Sequence, residues 1–213
     1  KNGPIAGSSA SADSMTIFAF QLGFRLPVLN DRLSLEVIGG DPTAKVKFHA
    51  KGSLAMKSLA PTALGIPTGV PPLGDELGEM TALPIVTTAV FQLHEASIFR
   101  LYAGAGLAVM FGLDPKITNP ILTEVSQPDF EVKPAPGVVV QAGLDVKVWR
   151  DVYARLDVKY IAGMLARAEV HHAEVRAPAL PLFDAVEVGT AKMSLWVNPL
   201  IIQAGVGFDF TLF

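Results

Sequence analysis

The residues of this chain that could do chemistry are charged and amide side chains, which recur at every second position of several predicted strands. Side chains at every second position of a strand share one face of the sheet. Because charges taken out of water persist only when they are paired, we expect this group to form ion pairs that fill a narrow interior. The group consists of Arg25, Glu36, Gln92, Arg100, Asp145, Lys147, Arg155, Asp157, Lys159 and Asp209.

Catalysis is not expected from the motifs present. The chain has no Gly-x-Ser-x-Gly run, and its four histidines, at 49, 94, 171 and 172, lie in separated segments or near a turn. The absence of cysteine excludes a thiolate metal site and a Cys nucleophile. The adjacent His171 and His172 would point to opposite faces of a strand and could not share a metal ion. We therefore predict a protein that is not an enzyme and that needs no cofactor or metal.

The composition of the chain indicates an apolar environment around a single domain, residues 1–213. Half of the residues are hydrophobic and only 17% are charged, against about 25% in an ordinary soluble domain. No uninterrupted run of about 18 to 20 apolar residues predicts a spanning helix, which leaves a closed β-barrel as the way to cross lipid. The net charge of −3 and the scattered basic residues exclude nucleic acid as a partner. Since the chain opens at Lys1 without a signal sequence, we expect that a targeting segment was removed.

Alternation of apolar with polar or small residues predicts seven strands. In the last strand the even-numbered residues from Leu200 to Phe210 are all apolar, whereas Gln203, Gly205, Gly207 and Asp209 lie between them. Pro and paired Gly predict a bulge or bend at 39–42 and a kink at Asn198-Pro199. The predicted strands are 16–26, 33–49, 83–94, 99–111, 138–148, 153–171 and 187–210.

Short connections alternate with long ones along the chain. Short turns are predicted near residues 30, 96 and 151, and long loops at about 50–81, 113–136 and 172–186, with 1–14 as the tail of another. This alternation is typical of bacterial outer-membrane barrels, which usually have an even number of strands. We therefore expect an eighth strand before Lys1, from this chain or from another one, because an open sheet in lipid leaves two unsatisfied edges. Trp149, Tyr153 and Tyr160 suit an aromatic girdle at the membrane interface.

Several segments together resemble the OmpW family of small outer-membrane barrels. The matching segments are Leu-Ser-Leu-Glu-Val-Ile-Gly-Gly-Asp-Pro at 33–42, Leu-Pro-Ile-Val at 83–86, Phe-Arg-Leu-Tyr-Ala-Gly-Ala-Gly-Leu at 99–107, Leu-Asp-Val-Lys-Tyr-Ile at 156–161 and Val-Asn-Pro at 197–199. The family-motif positions are Leu83, Pro84, Pro199 and Leu200. The chain departs from the family pattern at Ile85, where a second proline is usual, and at Leu200, where an aromatic residue is usual.

The resemblance implies an eight-stranded, antiparallel, up-and-down barrel in the outer membrane of a Gram-negative bacterium. Such a barrel is too narrow for a wide aqueous pore. The resemblance also implies a transport route for small hydrophobic molecules, which would enter the upper barrel from outside and leave sideways into the bilayer, without metal or nucleotide.

The loop at 54–73 is more apolar than contact with water requires, and 177–183 shows the same tendency. Exposed apolar surface usually marks a binding site or a partner. The loop could form the mouth of a conduit for a small hydrophobic ligand, or it could dock another protein, so that the barrel anchors a larger envelope complex. A third interpretation is a loop folded over its own hydrophobic cluster. The candidate residues are Leu54, Met56, Leu59, Leu64 and Ile66.

Overall fold

A computed structural model describes residues 7–14, 16–41, 45–57, 69–95, 98–179 and 185–209, and nearly all of its ordered elements are β-strands. The described residues contain no helix that is long and apolar enough to cross a membrane. The elements are β1 (Ser8–Ala12), β2 (Ala19–Leu26), β3 (Leu33–Gly40), β4 (Lys45–Gly52), α1 (Ser53–Met56), β5 (Glu76–Glu95), β6 (Phe99–Ile117), β7 (Asp129–Lys133), β8 (Ala135–Trp149), β9 (Val152–Ala162), β10 (Met164–Arg176), β11 (Ala185–Val197) and β12 (Leu200–Phe208).

The all-β fold expected from the sequence is confirmed. Each predicted strand corresponds to one element or to two consecutive elements separated by a short break. The interruption expected at 39–42 separates β3 from β4, and the kink at Asn198-Pro199 separates β11 from β12. Two further breaks lie at Pro134, between β7 and β8, and at Gly163, between β9 and β10, where Gly163 adopts a φ of +74°. Glycine suits this position because side chains disfavour positive φ.

The strands form one large curled sheet and one smaller sheet, both antiparallel. Around the main wall the order is β2-β3-β5-β6-β8-β9-β12. β4 follows β3 along the same edge of β5 and pairs with β5, and β1 pairs with β4. The smaller sheet has the order β11-β10-β7. Six antiparallel steps separate β2 from β12, so these two edges run in the same direction. No ladder joins them in the described part of the chain, and one added strand would be antiparallel to both. That position suits the eighth strand expected from the sequence.

The strands extend further than the sequence predicted, so the expected loop boundaries were wrong. Parts of every predicted long loop are in ladders: Ser8–Ala12 pairs with β4, β5 begins at Glu76, β6 reaches Ile117, Asp129–Lys133 is a strand, and β10 ends at Arg176. Beyond the lipid-facing region the outer side chains no longer need to be apolar. The alternation therefore fades from the sequence while the backbone ladder continues.

Side chains of the main sheet separate into an apolar outer face and a mixed interior. The even-numbered residues of β12 face outward as predicted, with Val206 79% and Phe208 70% exposed. An apolar belt surrounds the barrel and includes Phe20, Leu22, Leu35, Leu107, Val138, Val140, Leu156, Tyr160 and Ile202. We call the end that carries the turns at 27–32 and 150–151 the lower rim, and the opposite end the upper rim.

Candidate functional site

Arg155 is the centre of a charged network inside the lower barrel. Its Nε donates to Asp145 Oδ1 at 2.7 Å and its Nη2 to Asp145 Oδ2 at 2.9 Å, while Nη1 donates to Glu36 Oε1 at 2.9 Å. Planar two-point contacts of this kind are among the strongest side-chain hydrogen bonds. The three residues come from β9, β8 and β3, so this one side chain joins opposite parts of the wall.

The network continues towards the lower rim through Arg100. Its Nη2 lies 3.4 Å from Asp145 Oδ2, and its Nη1 donates to Asp209 Oδ2 at 2.9 Å. Asp209 also lies 3.8 Å from the guanidinium of Arg25. The face of the Tyr153 ring lies 3.8 Å from Arg100 Cζ. Tyr153 therefore faces inward, and its expected place in an aromatic girdle was wrong.

Above Arg155, a second ion pair is fully enclosed. Asp157 and Lys159 are two residues apart on β9, on the same inward face, with exposed fractions of 0% and 1%. Tyr102 Oη donates to Asp157 Oδ2 at 2.8 Å. Gly143 lies directly opposite Tyr102 in the ladder and leaves room for its ring, because a Cβ there would collide with it.

Amide and hydroxyl groups connect the charges with one another. Thr88 Oγ1 donates to Gln141 Oε1 at 2.9 Å, and Gln141 Nε2 donates to Glu36 Oε2 at 3.0 Å. We call the eight charged residues the ion-pair layer. They are four cations and four carboxylates, so their formal charges cancel. The members are Arg25, Arg100, Arg155, Lys159, Glu36, Asp145, Asp157 and Asp209. Paired charges of this kind satisfy each other and fill the space between the strands.

Two of the ten polar residues nominated from the sequence lie outside these ion pairs. Lys147 is exposed near the end of β8, so the expectation that it joins the network does not hold. Alternation along β8 places Lys147 on the inward side of the strand. Because Lys147 lies at the lower rim, its side chain reaches water there. Gln92 lines the open side between β2 and β12 together with Gln21. The amide nitrogens of both glutamines are buried and have no hydrogen-bond partner among the described residues.

Apolar side chains fill the interior above the ion-pair layer. The apolar layer consists of Ile38, Val86, Ala108, Ala135, Val139, Ile161 and Met164. An upper cluster follows, made of Val46, Met80 and Ala82 with Phe48, Met110 and Val132 packed against them. The interior of this barrel is therefore divided by height, polar and charge-balanced below and apolar above.

The wall is interrupted beside the family-motif residue Pro84. The ladder between β3 and β5 ends at Gly39 opposite Ile85, and the ladder between β4 and β5 begins at Lys45 opposite Thr81. Pro84 is buried at this break and has no N–H to donate. A Cβ on Gly40 would lie 2.9 Å from Pro84 Cδ, so only glycine fits there. Among the other motif positions, Leu83 is adjacent to this break, whereas Pro199 and Leu200 lie at the start of β12, with Leu200 facing outward.

Residues of the described loops pack with strand ends at the upper end of the barrel. Val70, Leu73, Ile117, Leu122 and Val175 form a cluster that we call the loop cap. Among the loop residues nominated from the sequence, Met56 is 77% exposed. Leu59, Leu64 and Ile66 lie outside the described residues, as does the side chain of Leu54. Val70 and Leu73, at the end of the predicted apolar loop, are buried against Ile117, Leu122 and Val175 of other segments.

Asn119 holds the loop cap together and is 0% exposed. Its Nδ2 donates to the carbonyl oxygens of Leu73 at 2.8 Å and Glu76 at 2.6 Å, and its Oδ1 accepts from the backbone N–H groups of Ile121 at 3.0 Å and Leu122 at 3.3 Å. The sequence analysis did not nominate this residue. The Thr-Asn-Pro run at 118–120 was the available signal, because Asn before Pro favours a turn.

His49 on β4 lies outside the apolar belt, between two carboxylates. Its Nδ1 lies 3.1 Å from Asp75 Oδ2 and its Nε2 lies 3.2 Å from Asp13 Oδ2. The hydrogen bond to Asp13, followed by the charges of both carboxylates, raises the pKa of His49 above its usual value.

The described residues contain no group of three or more side chains that could hold a metal ion.

Comparison with known proteins agrees with this architecture. The model of the OmpW family matches residues 12–210, whereas no curated protein matches significantly. Among solved structures, the chain is similar to the outer membrane protein OprG from Pseudomonas aeruginosa. That similarity has a TM-score of 0.70 at 18% identity and covers 96% of this chain and 82% of OprG. The chain thus belongs to the OmpW family, and it is a β-barrel protein of the Gram-negative outer membrane.

Proposed function

We propose that this protein is a narrow channel that takes small hydrophobic molecules into the apolar upper barrel and releases them sideways into the bilayer. The observation that carries the proposal is the change in the interior from the charge-balanced ion-pair layer to the apolar layer directly above it. Transfer of a hydrophobic molecule from lipid or water into the apolar layer costs little free energy. To continue downward, the molecule would have to displace paired charges.

The ion-pair layer supports sideways release because its paired charges make the downward route unfavourable for an apolar molecule. Arg155, Asp145 and Glu36 connect three strands across the interior, and the Asp157–Lys159 pair is shielded from solvent. A molecule held in the apolar layer is surrounded by Val139, Ile161 and other aliphatic side chains. The remaining exit for it is through the wall, into the hydrocarbon that surrounds the apolar belt.

Uptake of N-phenyl-1-naphthylamine, a small neutral fluorescent probe, tests the proposal in Gram-negative cells that lack other members of this family. The variant Ala108→Leu fills the apolar layer, since Ala108 is buried there, and it should slow protein-dependent uptake. The matched control is Ala105→Leu, which adds the same side chain on the exposed face of the same strand. Equal uptake by cells with and without the wild-type protein would refute the proposed function.

The alternative function, an anchoring subunit of an envelope complex that docks through apolar loops, has less support among the described loop residues. Met56 is exposed, but Val70 and Leu73 are buried in the loop cap. A stoichiometric protein that co-purifies in mild detergent, and that is lost in the variant Met56→Glu, would favour this alternative.

A further inference from the structure

The outward face of the small sheet β7-β10-β11 changes in charge with height. Its lowest row is apolar: Leu165 lies opposite Trp196 in the ladder, and Trp196 is 65% exposed. The next row up contains Lys133, Arg167 and Ser194, which are ladder partners and are all exposed. Two residues of a strand span about 7 Å, so this row of cations lies directly above the apolar belt.

Carboxylates on this face lie in the higher rows. Glu169 is opposite Glu131 on one side and Lys192 on the other, and Asp129 lies higher still at the start of β7. Glu169 Oε1 accepts a hydrogen bond from Lys133 Nζ at 2.8 Å, and Glu169 Oε2 lies 3.5 Å from Lys192 Nζ. The charges are therefore ordered by height, with cations nearest to the apolar residues and carboxylates further away.

Arg167 lies beside a second cation and has no carboxylate partner. Its ladder neighbours are Lys133 and the neutral Ser194, and it forms no ion pair within the described part of the chain. Like charges directly opposite each other in a ladder are destabilising. By contrast, Arg176 near the upper end of the same strand lies 3.4 Å from Glu124. An anion bound between Arg167 and Lys133 would offset their repulsion.

The small sheet lies at the extracellular end of the barrel. Bacterial outer-membrane barrels have their short turns at the periplasmic end, and the turns at 27–32 and 150–151 form the lower rim. Tryptophan is enriched where hydrocarbon meets headgroups, which places Trp196 at this boundary in the outer leaflet. The cations directly above it then lie at the depth of the lipid headgroups, where basic residues attract anionic lipid.

We propose that Arg167 and Lys133 bind the phosphate of a lipid headgroup in the outer leaflet, while the acyl chains of that lipid lie against Trp196 and Leu165. A guanidinium makes a two-point contact with phosphate oxygens, and an ammonium adds a point charge. The apolar row beneath the cations favours a lipid over a free anion. This site is on the outer surface of the barrel, so the inference goes beyond the proposed function and does not depend on it.

Fluorescence of Trp196 reports on the lipid beside these cations. The chain has two tryptophans, and the substitution Trp149→Phe at the lower rim leaves Trp196 as the single emitter. This parent variant is placed in vesicles of brominated phosphatidylcholine, which quenches tryptophan. Replacing part of that lipid with unbrominated lipid A, a phosphorylated glycolipid, should restore more fluorescence than replacing it with dephosphorylated lipid A. The excess should correspond to an association constant about 5-fold higher for the phosphorylated form.

Arg167→Gln in the parent variant should remove this excess. Arg176→Gln is the matched control, because it makes the same change on the same strand at an arginine that has its own carboxylate, and it should keep the excess. Equal recovery with both forms of lipid A in the parent variant would overturn the inference, as would an unchanged excess in Arg167→Gln. Inorganic phosphate in the buffer should leave the excess in place. If it abolishes the excess, the cations bind free phosphate and the assignment to a lipid is wrong.

Ser194→Glu tests the same site without removing a cation. The substitution places a carboxylate opposite Arg167 in the ladder, where it should pair with the guanidinium and exclude the phosphate. Ser194→Gln is the matched control, with a side chain of similar size and no charge. The lipid A excess should be lost in Ser194→Glu and kept in Ser194→Gln. The same result in both variants would overturn the inference.

Discussion

Arg155 and Asp145 are direct ladder partners on β9 and β8, and their side chains meet in a two-point hydrogen bond of 2.7 and 2.9 Å inside the barrel. The same guanidinium reaches Glu36 on β3, 119 residues away in the chain. Glu36 thus pairs with Arg155, and Asp145 pairs with both Arg155 and Arg100. This arrangement leads to two of the predictions below.

Arg155→Ala should lower the free energy of unfolding by about 3–5 kcal/mol, because it removes the cation that pairs with buried Glu36 and leaves buried Asp145 with Arg100 alone. Urea unfolding of the protein in detergent micelles measures the change. Lys147→Ala is the matched control: this cation is exposed and outside the network, so its removal should change stability by less than about 0.5 kcal/mol. Equal effects of the two substitutions would contradict the role assigned to the ion-pair layer.

Arg155→Ala should also increase ion leakage through the barrel. Removing the guanidinium takes away side-chain volume and one positive charge beside Asp145 and Glu36, so water and cations can enter the lower interior. Conductance in planar bilayers is the measurement, again with Lys147→Ala as control. If the lower barrel already conducts ions freely in the wild-type protein, the ion-pair layer does not obstruct it.

Asn119→Ala should loosen the loop cap while the barrel stays folded. The substitution leaves the carbonyls of Leu73 and Glu76 and the N–H groups of Ile121 and Leu122 without this partner, and each such group costs about 1–3 kcal/mol where it stays buried. Hydrogen exchange at residues 69–77 and 118–123 should accelerate, whereas β8 and β9 should remain protected. Gln127→Ala removes a single hydrogen bond and should have a smaller effect. Unchanged exchange in Asn119→Ala would show that the cluster alone holds the cap.

His49 should titrate above the usual histidine value of 6.5, since Asp13 and Asp75 stabilise its protonated form. Its contribution to holding β1, β4 and the segment before β5 together is then fully present below pH 6.5 and is lost as the pH rises through the raised pKa. NMR titration of the imidazole is the measurement. Asp13→Asn should bring the pKa back towards 6.5, and a pKa that does not respond would disprove the contact.

An eighth strand between β2 and β12 should protect both edges in the protein isolated from outer membranes. Amide hydrogens of Ala19–Leu26 and of residues 200–207 that point away from β3 and β9 should then exchange as slowly as those of β6 and β8. Rapid exchange at both edges would show that the wall stays open there.

The alternation of residue types along the chain is enough to predict which side chains face lipid and which face the interior. Val206 and Phe208 point outward and Asp209 inward because side chains alternate along any strand, and this alternation is local. The breaks at 39–42 and at Asn198-Pro199 could be predicted for the same reason, since Pro and paired Gly act on their own backbone. The family could be recognised because its short segments occur in a fixed order along the chain.

Which inward residues meet, and at what height in the barrel, depends on how the strands pair. Alternation places Lys147 and Asp145 on the same inward face of β8, yet Asp145 lies in the ion-pair layer and Lys147 lies in water at the rim. The stagger between strands sets this difference, and it depends on pairings between residues far apart in the chain. The loop cap around Asn119 and the separation of the small sheet have the same origin. Both result from packing between distant segments and from ladders that end where distant strands diverge. Local alternation along one strand does not predict such contacts.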